Sequence, residues 1–103
     1  MIIKFNNAYL QRIYESKHVK GKPKYSQEVI VKFKKTVLML LYAESIKELK
    51  KFRGLNFEAL KGDFKGYFSV RVDLYYRLIL SVEKDSLIVT EILIIEDLTK
   101  HYQ

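Results

Sequence analysis

The sequence predicts an α+β fold in which an N-terminal strand and two helices pack on one face of an antiparallel sheet ending in a three-stranded meander. Three observations predict it. Apolar residues recur every three or four positions between Ser26 and Leu41, the spacing of a core-facing helix. From Tyr67 to Val82 the period drops to two, as in half-buried strands. Finally, 103 residues with 49% hydrophobic content suffice for one core, so residues 1–103 are expected to form a single domain.

In chain order, residues 2 to 5 have the look of a short strand. From about Asn7 to Glu15, Leu10, Ile13 and Tyr14 recur at helical spacing, with Asn6 or Asn7 as the N-cap. Gly21 and Pro23 then break regular structure in a lysine-rich loop, Lys17 to Lys24, expected to be a solvated linker. His18 in that loop has no acidic or histidine neighbour at ligand spacing and is assigned no role. A longer helix is expected to start at Ser26, whose hydroxyl caps free backbone N–H groups. Its stripe is Ile30, Phe33, Val37, Leu40 and Leu41, and Phe33 and Tyr42 are both expected in the core. Ile46, Leu49 and Phe52 continue the pattern, after a bend, until Gly54 stops it.

Beyond Gly62, Phe68, Val70 and Val72 point one way while Tyr67, Ser69, Arg71 and Asp73 point the other. A turn near Asp73-Leu74 leads into Tyr75 to Val82, where Tyr76, Leu78, Leu80 and Val82 oppose Tyr75, Arg77, Ile79 and Ser81. A second turn, Lys84-Asp85-Ser86, precedes Leu87 to Ile95, a run apolar on both sides as in a central strand. If the apolar set faces the helices, Arg71 and Arg77 share the opposite, bare face. Two neighbouring guanidiniums repel, so carboxylates such as Asp73 and Glu91, or a bound phosphate, are needed between them.

The formal charge is +7, and residues 78 to 103 are net acidic, so the positive excess lies entirely before residue 78. Such a surface attracts phosphates or a partner with an acidic segment. With no cysteine, disulfide scaffolds, thiolate zinc sites and cysteine nucleophiles are excluded. The start lacks the pattern of a signal peptide, and no apolar run approaches the roughly 20 residues of a spanning helix. A cytoplasmic protein with no membrane association is the expectation. With two histidines far apart in sequence no metal site is expected, and Gly62 and Gly66 do not precede the helix that a phosphate-binding loop requires, so no cofactor is expected.

Leu60-Lys-Gly-Asp, Gly66-Tyr-Phe-Ser-Val-Arg and Tyr76-Arg-Leu, followed by a strand and a terminal His-Tyr, together resemble the RelE/ParE superfamily of bacterial toxins, in particular its HigB and YoeB branches. The resemblance implies a RelE-like fold and a ribosome-dependent mRNA endonuclease. It also implies a cognate antitoxin as partner, a small helix-turn-helix protein encoded beside it. By the same resemblance, Glu58, Arg77, His101 and Tyr102 are the catalytic residues, while Arg71, Lys61 and Lys65 hold the RNA. The sequence departs from the HigB pattern at its end, Glu96-Asp-Leu-Thr-Lys-His-Tyr102, so the tail is expected to fold back to reach the site.

Metal-independent RNA cleavage starts with attack of the 2′-hydroxyl on its own 3′-phosphate. It needs a base for that proton, an acid for the leaving 5′-oxygen and cations around the crowded phosphorus. Glu58 and His101 are candidates for the base and acid, and either order is chemically reasonable. Arg71 and Arg77 are the cations, and Tyr102 is placed to stack on a base or orient the phosphate. Two other readings compete: a ParE-like inhibitor of DNA gyrase on the same scaffold, and an inactive RNA- or partner-binding module.

Overall fold

The structure, a computed structural model, describes residues 1–85, 87 and 90–101. Ser86 of the predicted second turn, Ile88 and Val89 of the predicted last strand, and Tyr102 lie outside the described residues.

The first strand, β1, spans Ile2–Phe5, and helix α1 spans Ala8–Tyr14. Asn7 is the α1 cap: its Oδ1 accepts from the Leu10 N–H at 3.1 Å, while Asn6 turns its amide to Glu96. Helix α2 spans Gln27–Tyr42 and starts as expected, with Ser26 Oγ accepting from Val29 N–H at 3.2 Å. It ends at Ala43, whose backbone turns extended, and Ser45 caps a separate short helix, α3, Ile46–Leu49. Glu48 reinforces this restart by accepting from Glu44 N–H at 2.9 Å. Gly54 does not stop a helix; it lies inside a 3₁₀ turn, Arg53–Leu55, that ends at Asn56.

Four further strands follow: β2, Glu58–Ala59; β3, Phe68–Arg71; β4, Arg77–Asp85; and β5, Thr90–Thr99. The sheet order is β1-β5-β4-β3-β2. The predicted meander is β3-β4-β5, and β5 is an interior strand between β1 and β4, as its two apolar faces require. β1 lies parallel to β5, so the sheet is mixed rather than purely antiparallel. The two-residue β2 pairs with β3 through a hairpin loop in which Gly62 and Gly66 take positive φ (62° and 97°).

Val70, Leu78, Leu80, Leu93, Ile95 and Leu98 from the sheet pack with Leu10, Phe33, Val37 and Leu40 from the helices. Tyr42 departs from expectation: it is 79% exposed, because the helix stripe that meets the sheet runs through Phe33, Val37 and Leu40 and leaves position 42 outside it. Among the described residues, no helix is long and apolar enough to cross a membrane.

Candidate active site

The ladders place Glu58, Arg71 and Arg77, of the predicted residues, in two adjacent rows across the sheet. One row runs Glu58, Ser69, Ile79, Asp97, and the next runs Arg71, Arg77, Thr99. Arg71 and Arg77 are direct cross-strand partners and share a face, as the alternation predicts. Their environments nevertheless differ. Arg71 is exposed, whereas Arg77 is 3% exposed.

Arg77 is therefore not on a bare surface. Its Nε donates to Ser69 Oγ at 2.8 Å, and its Nη2 donates to Ser69 O at 3.3 Å and to Asn56 O. The guanidinium thus reaches across β3 to the segment before β2. Leu60, Ser69, Arg77 and Ile79 are all buried yet lie outside the core cluster shared with the helices. A buried guanidinium is tolerated only when its N–H groups find acceptors, and these backbone and hydroxyl oxygens are among them.

Neither carboxylate expected between the arginines serves there. Asp73 Oδ1 accepts from Tyr75 N–H at 2.8 Å and from Tyr76 N–H at 2.6 Å, closing the β3–β4 turn. Glu91 Oε1 accepts from Ile46 N–H at 3.2 Å at the start of α3. Among the described residues no carboxylate forms an ion pair with Arg71.

Two residues not assigned roles in advance join the site. Ser69 is fully buried beneath Arg77. Asn56 adopts left-handed backbone geometry (φ 44°, ψ 58°), offers its carbonyl to Arg77 and donates from Nδ2 to Glu58 Oε1 at 3.2 Å. Glu58 and Arg77 are thereby linked through one residue. The alternation already puts Ser69 beside Arg71; the signal for Asn56 is that asparagine tolerates left-handed geometry better than other non-glycine residues.

Glu58 itself is exposed, while its neighbour Phe57 stacks on Phe68 with centroids 5.3 Å apart and packs against the core. Lys61 and Lys65 are exposed and flank the 3₁₀ turn Gly62–Phe64 at the hairpin tip. His101 is exposed, with its N–H donated to Thr99 Oγ1 at 2.9 Å. β5 ends at Thr99 and the chain bends at Lys100; the expected fold-back of the tail involves Tyr102 and lies outside the described residues. β5 continues to Thr99, the cross-strand partner of Arg77, so His101 stands two residues beyond that pair. A bulge makes this possible: Ile79 pairs with Asp97 and Leu80 with Ile95, leaving Glu96 as the extra residue. Ser81 Oγ donates to Glu96 Oε2 at 2.6 Å and Asn6 Nδ2 to Oε1 at 2.8 Å, pinning the bulge.

The lysine-rich loop is anchored at this same end of the sheet. Tyr25 OH donates to Leu98 O at 2.7 Å, and its ring meets Tyr76 edge-on with centroids 5.7 Å apart. Burial, with Asp97, Tyr76 and Tyr9 adding to it, pushes the Tyr25 hydroxyl up to about 12. Lys24 N–H donates to Tyr9 OH at 3.0 Å, and Lys100 Nζ sits 5.8 Å from the Tyr76 ring centroid. His18 remains exposed and its carbonyl accepts from the Arg12 guanidinium.

The arrangement of helices packed on a five-stranded mixed sheet is shared with a solved toxin structure. A YoeB/ParE toxin from Agrobacterium tumefaciens superposes with a TM-score of 0.57 at 19% identity, covering 99% of this chain and 100% of that one, which establishes the shared fold. The profile of the HigB-like toxins, described as the RelE-like toxin of the type II toxin–antitoxin system HigB, matches residues 3–93. The chain belongs to this family of type II toxins. Glu58, Lys61, Lys65, Arg71 and Arg77 fall inside the matched span, and His101 and Tyr102 fall beyond it. Comparison with curated proteins gives no significant relative.

Proposed function

We propose that this toxin is a ribosome-dependent, metal-independent mRNA endonuclease that arrests translation in the cytoplasm and is held in check by a cognate antitoxin, a small helix-turn-helix protein encoded beside it. The observation that carries the reading is the row geometry: Arg71 and Arg77 face each other across β3 and β4, and Glu58 is tied to Arg77 through Asn56. The match to a RelE-like profile supports this reading over gyrase inhibition.

In the proposed reaction, the exposed Arg71 binds the scissile phosphate directly, while Arg77 holds a fixed positive charge beneath it. Developing charge on the equatorial phosphate oxygens is stabilised by cations already oriented before the reaction, which is where such groups contribute most. The 2′-hydroxyl loses its proton and attacks phosphorus; the bond to the 5′-oxygen breaks, and that oxygen takes a proton. The products are a 2′,3′-cyclic phosphate and a 5′-hydroxyl. Glu58 and His101 are the two proton carriers, with Tyr102 a further substrate contact in the same proposal. Lys61 and Lys65 at the hairpin tip bind the flanking RNA backbone.

Purified protein added to translating ribosomes should give discrete mRNA cuts, read by primer extension, and the cuts should persist when divalent ions are kept only at the level ribosomes need. Intact mRNA on arrested growth, together with gyrase-dependent DNA breaks, would replace this reading with the gyrase one. Cleavage that survives the double substitution Arg77→Ala and His101→Ala would remove these residues from the chemistry.

A further inference from the structure

Asn56 does more than close a turn. Its backbone is left-handed (φ 44°, ψ 58°), a conformation that strains most residues and suits glycine best. Ending the 3₁₀ turn, where the Asn56 N–H donates to Arg53 O at 3.1 Å, would by itself be served better by glycine. What asparagine adds is a side-chain amide, and that amide donates to Glu58 Oε1 at 3.2 Å. Among the described residues it is the one hydrogen-bond donor to the Glu58 carboxylate, and no ion pair reaches that carboxylate.

The peptide around Asn56 is held on both sides. Leu55 before it is 2% exposed within the core, and Phe57 after it packs against that core and stacks on Phe68. Neighbours packed in this way leave the backbone between them little room to move. The Asn56 carbonyl accepts from Arg77 Nη2, while Arg77 Nε is fixed on Ser69 Oγ at 2.8 Å. Ser69 is in turn the ladder partner of Glu58. An exposed glutamate otherwise samples several rotamers, and a donor attached to this frame selects among them. The same residue therefore touches the buried guanidinium with its backbone and the exposed carboxylate with its side chain.

We propose that Asn56 is a positioning residue of this site: its amide holds the Glu58 carboxylate at a fixed place relative to Arg77, whose guanidinium its carbonyl secures. What the held carboxylate does rests on the endonuclease reading; the linkage itself does not. A residue that only closed the turn would be replaced by glycine without loss, so glycine is the discriminating substitution.

The test uses the full chain on ribosomes carrying a defined mRNA. Asn56→Gly keeps the left-handed backbone and the carbonyl and removes the amide. Its urea midpoint should match wild type, while kcat falls about tenfold and KM stays within about twofold. Asn56→Asp tolerates the same backbone but sets a second carboxylate against Glu58, so kcat should fall further, about thirtyfold. Asn56→Ala strains the backbone and should lose stability as well as rate, and glycine should restore the stability alone. In a Glu58→Ala chain, Asn56→Gly should lower the rate no further, whereas its effect should multiply with that of Arg71→Ala. Independently of cleavage, the side-chain scalar couplings of Glu58, read by NMR, should report one rotamer in wild type and an average in Asn56→Gly.

A glycine variant that cleaves as wild type overturns the proposal, and so does one that loses stability along with rate. Equal losses from Asn56→Gly with and without Glu58 overturn it too, because the amide then acts through another group. If wild type cuts no mRNA, the endonuclease reading fails by itself. The couplings then decide the linkage: one rotamer that averages in Asn56→Gly upholds it, and a Glu58 already averaged in wild type overturns it.

Discussion

The two sides of β4 are equally buried and are held by different forces. On the helix side, Leu78 and Leu80 are fully buried in an apolar cluster. On the other side, Arg77 and Ile79 are 3% and 2% exposed, beside the fully buried Ser69. Burial of the first pair is favourable because apolar surface leaves water. Burial of Arg77 is tolerated because its N–H groups meet Ser69 and Asn56. One side therefore holds stability alone, and the other couples stability to the geometry of the site. In the proposed endonuclease reaction, a hydrogen-bonded, water-excluded guanidinium would serve as a fixed cation beneath the RNA.

The sharpest way to break this contrast is Arg77→Ala. It leaves the acceptors on Ser69 and Asn56 without their donor, so we expect about 2 kcal/mol of lost stability. Cleavage should fall at least about a hundredfold per folded molecule. Urea titration and a single-turnover cleavage assay separate the two effects, and a variant stable yet fully active would dissolve the contrast.

Leu80→Ala should do the reverse: about 3 kcal/mol of stability lost to the cavity, with cleavage per folded molecule unchanged. Arg71→Ala removes an exposed side chain, so its stability should stay within about 0.5 kcal/mol of wild type. Its cleavage rate should still drop about tenfold, which would make Arg71 the contact and Arg77 the support. Ser69→Ala, expected to cost about 1 kcal/mol, tests whether the hydroxyl under Arg77 is part of that support.

The last effect, on stability alone, belongs to Tyr25 at the edge of both regions. Its hydroxyl is raised to about 12, chiefly by burial. The neutral form is thus favoured by folding, and its contribution is complete below the unfolded value near 10 and lost as pH rises through 12. Urea midpoints should fall between pH 10 and 12 in wild type, and Tyr25→Phe should reduce that fall. At pH 8 the same substitution should cost about 1 kcal/mol through loss of the bond to Leu98 O.

Local rules made much of this readable without a structure. Asn7 and Ser26 mark their helices because a short oxygen-bearing side chain satisfies N–H groups only a few residues away. The two-residue period from Phe68 onward assigns Arg71 and Arg77 to one face, and the ladder places them opposite each other. Glu58, Lys61 and Lys65 stood in the motif by type and spacing, and the family match spans them.

Interactions distant in sequence decided the rest. Whether Tyr42 is core or surface depends on which α2 stripe the sheet receives, and periodicity cannot tell two adjacent apolar stripes apart. The reach of β5 to Thr99 depends on a bulge at Glu96 secured by Ser81 and Asn6, residues from two other parts of the chain. Among the groups that hold the buried Arg77 is Asn56, at the end of a 3₁₀ turn, which offers its carbonyl across β3. The elements, their faces and the charges on them were thus legible in the residues alone, since side-chain alternation and capping act over a few residues. Which arginine is exposed and which is held beneath emerges only in the folded chain, because that depends on acceptors brought together from separate segments.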